Sequence, residues 1–249
     1  MERIFGIHAV RQALIAGEGR SLTVRPGKLN PRLQEVVDLA KQQGVKLSVG
    51  DVRHEALADQ GVALLVKPPQ VRSEALLDDL IIADSPLFLM LDGVTDPRNL
   101  GACLRSAASF GVSAVVAPKD RSAPLNEAAV KTASGAASLV PYIQVTNLGR
   151  TLEHLKKAGL WVVGTVLADD SQPLPEMDLT GPLALVMGAE GTGIRAGIRK
   201  KCDFLAEIPA PLPDLSLNVA VATGICLYEV NQQRCRRSLG GVYSPAVIE

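Results

Sequence analysis

The chain has 249 residues, room for one large domain or for a small one beside a medium one. Apolar residues make up 47% and aromatics only 3%, so the core must be built from Leu, Val, Ile and Ala, and no run approaches the ~18 apolar residues of a membrane span. The net charge is zero, which taken alone argues against a nucleic-acid partner, and Cys103, Cys202, Cys226, Cys235 and His8, His54, His154 are too scattered for a zinc site or a disulfide framework.

The cysteine usage fits a reducing compartment. The first residues, Met1 to Gly6, lack the basic-then-apolar order of a signal peptide, so a cytoplasmic location without membrane contact is expected. Charge is unevenly spread. Residues 1–75 carry 11 Lys+Arg against 8 Asp+Glu, and the remainder carries 15 against 18. An RNA partner would favour the first segment, although a modest excess fits an ordinary solvated surface equally well.

In chain order, Ile7, Val10, Leu14 and Ile15 recur at helical spacing within 6–16, and 21–24 reads as a short strand. Pro31 suits a first helical turn, and Leu33, Val36, Val37 and Ala40 continue the stripe to Gly44. Residues 45–49 alternate as a strand, Asp51 can cap a short helix over 52–58, and 62–66 is an apolar strand. Lys67-Pro68-Pro69 breaks the pattern. We divide the chain into a small α/β domain over 1–68, a linker over 69–85 with a helical piece at 73–82, and a larger domain over 86–249.

Beyond Pro86, apolar runs alternate with helical patterns. Strands are predicted at 87–91, 114–117, 142–145, 160–166, 183–187 and 205–208. Helices are predicted at 99–110, 126–137, 147–158, near 192–201, and from about Ser216 to Arg234. This rhythm describes a mostly parallel sheet covered on both faces, with any ligand site beyond the strand C-terminal ends.

Three segments lie at such ends. In Asp96-Pro97-Arg98-Asn99-Leu100-Gly101, Asn99 is a good helix-capping type and Arg105 follows beside the apolar stripe of the next helix. A surface arginine explains Arg105 as well as a guanidinium held near phosphate or ribose. In Met187-Gly188-Ala189-Glu190-Gly191-Thr192-Gly193, a buried strand runs into three glycines and a carboxylate. The order differs from the dinucleotide fingerprint and no P-loop lysine follows, which disfavours a nucleotide-dependent oxidoreductase. A plain turn accounts for the glycines, but Glu190 at the end of a buried strand is harder to explain as filler. In the third segment, three prolines from Ile208 to Pro213 lead to Ser216, Leu217 and Asn218. Ser216 can cap the final helix and place Asn218 in its first turn, a reading that needs no chemistry. Arg234, Arg236 and Arg237 read as a solvated C-terminal face.

Together, and in this order, the segments resemble the three motifs of the SpoU (TrmH-like) branch of the SPOUT RNA methyltransferases. Phe5-Gly6-Ile7-His8-Ala9-Val10 and Gln60-Gly61-Val62 are similar to the small RNA-binding domain of its ribosomal subgroup, and Pro118-Lys119-Asp120-Arg121-Ser122-Ala123 supports that closer match. The resemblance implies an L30e-like N-terminal domain, a C-terminal α/β domain with a trefoil knot, and a homodimer. It implies transfer of a methyl group from S-adenosylmethionine, without a metal, to the ribose 2′-oxygen of a guanosine in 23S ribosomal RNA. The same chemistry on a transfer RNA or another ribosomal site, or a non-catalytic RNA-binding assembly factor, are the alternatives. Gly188, Ile208, Leu217, Met187 and Gly193 would hold the cofactor. Asn99, Glu190, Ser216 and Asn218 would position the ribose and Arg105. The family assigns Arg105 as general base, but a guanidinium keeps its protons, so stabilising the alkoxide is the easier role. Pro211, Pro213 and Leu215 depart from the small residues that relatives carry ahead of the serine.

Overall fold

The computed structural model describes residues 2–15, 17–52, 60–66, 69–211 and 216–239. Most of the helix expected at 52–58, together with His54, Pro213 and Leu215, lies outside them.

The first unit contains β1 (Glu2–Phe5), α1 (Ile7–Ile15), β2 (Gly19–Val24), α2 (Pro31–Gln42), β3 (Lys46–Val49) and β4 (Val62–Val66). Asn30 caps α2 by accepting the Leu33 N–H at 2.8 Å, and Pro31 follows in the first turn. The sheet order is β1-β4-β2-β3, with β2 and β3 parallel and the other pairs antiparallel. Val10, Leu14, Val36, Val37 and Leu64 close its core. Strand β1 carried no clear sequence signal, being four residues with two charges.

The second unit is an eight-stranded sheet in which every pairing is parallel. It comprises β5 (Val71–Arg72), β6 (Leu87–Asp92), β7 (Ala114–Pro118), β8 (Tyr142–Val145), β9 (Trp161–Thr165), β10 (Gln172–Pro173), β11 (Leu183–Gly188) and β12 (Phe204–Glu207). The order is β10-β12-β9-β11-β6-β7-β8-β5. The central strands β6, β7 and β11 are almost wholly buried, which explains their unbroken apolar runs. The two-residue edges β5 and β10 are too short for periodicity to announce; β5 lies within the stretch read as linker and pairs with β8.

Helices cover both faces. On one side lie α4 (Pro97–Ser109), α5 (Glu127–Ala133) and α8 (Val219–Leu239), packed on Leu89, Leu91, Val115 and Leu185. On the other lie α3 (Leu76–Ile81), α6 (Leu148–Lys157) and α7 (Ala196–Arg199), packed on Phe88, Met90, Val116 and Val186.

Five expectations change. Helix α4 is capped by Asp96, whose carboxylate accepts the Arg98 N–H at 2.8 Å, so Asn99 sits inside the first turn with its side chain free for other contacts. The helix expected over 126–137 stops at Ala133, because Ser134 and Gly135 both turn left-handed. Only one turn, α7, forms in the 192–201 stretch. Helix α8 begins at Val219, and Asn218 rather than Ser216 caps it, accepting the Ala220 N–H at 2.9 Å. Nor is Arg234 solvated. Its guanidinium donates to the carbonyls of Ser85 at 2.9 Å and Gly181 at 2.6 Å, and burial holds its pKa below the usual arginine value.

Candidate active site

The C-terminal ends of β9, β11 and β12 open onto a cleft of about 420 Å³. That size suits a drug-sized or cofactor-sized ligand. Its floor comes from Met187, Gly188 and the glycine turn, and its walls from Leu167, Ile208, Ser216 and Leu217. All five residues assigned to cofactor binding from the sequence, Met187, Gly188, Gly193, Ile208 and Leu217, therefore line one cavity.

The glycines there have separable causes. Gly191 (φ 76°) and Gly193 (φ 64°) take left-handed conformations that close a tight turn, with the Gly193 N–H donating to Ala189 O at 2.8 Å. Gly188 is required by close approach: a Cβ there would overlap the backbone of Gly193 and Ile194.

Beside the cleft, one carboxylate joins the three sequence segments. Glu190 Oε1 accepts from Asn99 Nδ2 at 3.0 Å, from Asn218 Nδ2, and from the Val219 N–H at 3.4 Å. Asn218 Nδ2 also donates to Asn99 Oδ1 at 3.1 Å. Residues 99, 190 and 218 thus form a closed polar cluster at the mouths of α4, β11 and α8. A carboxylate at the start of α8 also meets the positive end of the helix dipole.

Arg105 is not part of that cluster. It lies six residues beyond Asn99, about 240° around α4, and its side chain is exposed. Ser216 lines the cleft without joining the cluster.

Sequence reasoning missed Asp92. Fully buried at the end of β6, it accepts the Arg195 N–H at 2.8 Å and Arg195 Nε at 2.7 Å. This pair ties the far end of the glycine turn to the neighbouring strand. The available signal was one acid closing the otherwise apolar run Leu-Phe-Leu-Met-Leu-Asp. Two further charged contacts flank the cleft: Arg199 pairs with Asp170, and Glu207 accepts from Ser171 Oγ at 2.7 Å.

A parallel α/β sheet with a glycine-floored cleft and a polar cluster at its strand ends has the layout of a group-transfer enzyme. The chain belongs to the SpoU rRNA Methylase family, whose profile matches residues 86–228. A second profile, RNA 2′-O ribose methyltransferase substrate binding, matches residues 3–72. The chain is 46% identical over 243 residues to the 23S rRNA (guanosine-2′-O-)-methyltransferase RlmB of Pseudomonas aeruginosa, covering 94% of this chain and 97% of that one. It is 46% identical over 241 residues to the protein of that name from Escherichia coli K12, covering 94% and 99%. Among solved structures it resembles the AdoMet-bound rRNA methyltransferase from Sinorhizobium meliloti, with a TM-score of 0.67 and 26% identity over 95% of this chain and 87% of that one.

Proposed function

We propose that this protein transfers a methyl group from S-adenosylmethionine to the ribose 2′-oxygen of a guanosine in the peptidyl-transferase region of 23S ribosomal RNA, as a step of ribosome maturation in the cytoplasm. The observation that carries the reading is the Glu190 cluster. It joins the three motif segments at the mouth of a cleft of cofactor size. The cleft suits an adenosine-bearing donor, because apolar Leu167, Ile208 and Leu217 line it together with polar Thr165, Glu207 and Ser216.

The donor supplies an already activated methyl group. The chain's own residues must hold a ribose hydroxyl in line with it and stabilise charge on an oxygen that is scarcely ionised at neutral pH. Asn99 and Asn218, fixed by Glu190, are the positioning residues for that hydroxyl, with Ser216 beside them. Arg105 would offset the developing negative charge as a fixed cation.

Because Arg105 lies outside its own chain's cleft, we place its contribution at an interface between two chains. The face beside it supports this. Val221, Ile225 and Tyr228 are exposed along α8, which packs on α4. An apolar stripe of that kind suits burial in a homodimer. Membership of this family implies a trefoil knot in the domain that carries the cleft. Residues 1–68 would serve as the RNA substrate-binding domain, 69–85 as the linker and 86–249 as the methyltransferase domain.

The test is incubation of the purified protein with labelled S-adenosylmethionine and unmodified 23S ribosomal RNA or transfer RNA, followed by nuclease mapping. Label on a guanosine ribose of the 23S RNA is expected. Label on transfer RNA alone, or on no RNA, would overturn the proposal.

A further inference from the structure

Cations on the two sides of the catalytic edge are used differently. On the β11–β12 side, Arg195 is paired with Asp92 and Arg199 with Asp170. On the β6–β7–β8 side, Arg98, Lys119, Arg121 and Arg150 are all exposed, and among the described residues none is paired with a carboxylate. Each follows the C-terminal end of its strand. Arg98 is in the first turn of α4 after β6, Lys119 and Arg121 are in the turn after β7, and Arg150 is in the first turn of α6 after β8. With strands about 4.8 Å apart, the row spans about 10 Å from β6 to β8. It begins next to Asn99. Two carboxylates lie along it: exposed Asp120, and Asp96, whose oxygen is occupied by the Arg98 N–H.

The turn after β7 is rigidly built. The Lys119 N–H donates to Val145 O at 2.8 Å, and the Ala123 N–H donates to Val94 O at 2.8 Å. The buried Tyr142 hydroxyl donates to Ala123 O at 3.0 Å, and Ser122 Oγ donates to Pro118 O at 2.5 Å. Within this frame Arg121 has φ 57°, a left-handed conformation that glycine adopts freely and arginine only at a cost. Its side chain is exposed, so packing does not account for it. A glycine would serve the turn better, which leaves the guanidinium itself as the reason for an arginine.

We propose that the 118–123 turn, with Arg98 and Arg150 on either side, is a phosphate-binding track. It holds the RNA backbone flanking the target nucleotide, separately from the N-terminal domain. The inference rests on the proposed RNA substrate. A track of about 10 Å exceeds one small anion and fits successive backbone phosphates. Its fixed frame suits Arg and Lys as positioning contacts that read no base.

The test compares the full-length protein with the double variant Lys119→Ala/Arg121→Gly and the single variant Arg121→Gly. Binding to an in vitro transcribed 23S RNA fragment is followed by fluorescence anisotropy between about 50 and 300 mM salt. The double variant should bind roughly tenfold more weakly, and its log–log salt slope should be smaller by about 1.4, near 0.7 per lost contact. Its KM for RNA should rise, while its Kd for S-adenosylmethionine without RNA stays at the wild-type value. Arg121→Gly should bind RNA more weakly yet melt no lower than wild type, because the turn is relieved of strain. Unchanged RNA affinity and salt slope would overturn the track, as would a lower melting temperature of Arg121→Gly with unaltered binding. Failure of the wild type to methylate RNA would instead overturn the proposed reaction, and the salt slopes would still decide the track.

Discussion

Asp92→Asn is a sharp probe of how the cofactor cleft is shaped. The native carboxylate is fully buried and meets three nitrogens of Arg195, the backbone N at 2.8 Å, Nε at 2.7 Å and Nη2 at 2.5 Å. Asparagine has nearly the same shape but only one acceptor oxygen, so its amide N–H must face one of those donors. Breaking a fully buried pair costs about 3–5 kcal/mol. The Arg195 side chain is 44% exposed and can turn to water, so about 2 kcal/mol is the expected loss. For a chain of this length that is a fall of about 4–8 °C in Tm. Arg195 closes the turn that begins at Gly188, so the cleft floor should loosen and the Kd for S-adenosylmethionine should rise about tenfold. Calorimetric melting and titration with the cofactor measure both. Wild-type values of Tm and Kd in Asp92→Asn would refute the claim that this pair holds the turn.

Glu190→Ala removes the acceptor shared by Asn99, Asn218 and the start of α8, and should lower kcat on the order of 10²-fold; a rate within twofold of wild type would exclude the cluster from positioning. Gly188→Ala forces a Cβ into the backbone of Gly193 and Ile194, which no rotamer can relieve, so it should cost at least about 2 kcal/mol and abolish cofactor binding in a titration. Burial pushes the Cys103 thiol up to about 11 and the Cys226 thiol up to about 12. A thiol pKa raised by folding favours the fold below its unfolded value and loses that advantage as pH rises. Stability should therefore fall between about pH 9 and 11, by about 1.4 kcal/mol per pH unit for each thiol. Melting curves of wild type and Cys103→Ala/Cys226→Ala should diverge over that window; equal slopes would refute the assignment.

The sequence spoke clearly where one rule governed a whole element. Buried parallel strands such as Leu87–Asp92 have no polar face to hide, so they stand out as apolar runs. It was weaker at helix starts, where Asp96, Asn99, Ser216 and Asn218 are all good caps by type. Asp96 took the cap of α4 and left Asn99 to Glu190, while Asn218 both caps α8 and donates to Glu190. The cleft residues were recognisable because three loops matched motifs jointly. The Asp92–Arg195 pair was not, since 103 residues separate the partners and neither belongs to a periodic pattern. Arg234 looked like one of a solvated basic group, and only the return of residues 179–181 and Ser85 against α8 buries it. The α5 break at Ser134 was hidden because a serine with positive φ carries no local signal of its own.

The most direct measurement of the central claim, that three separated loops build one ribose methyl-transfer site assisted by an exposed guanidinium, is single-turnover methyl transfer to unmodified 23S ribosomal RNA by Arg105→Ala. The account predicts a Kd for S-adenosylmethionine within twofold of wild type and transfer slower by at least about 10²-fold. Transfer at the wild-type rate would contradict it.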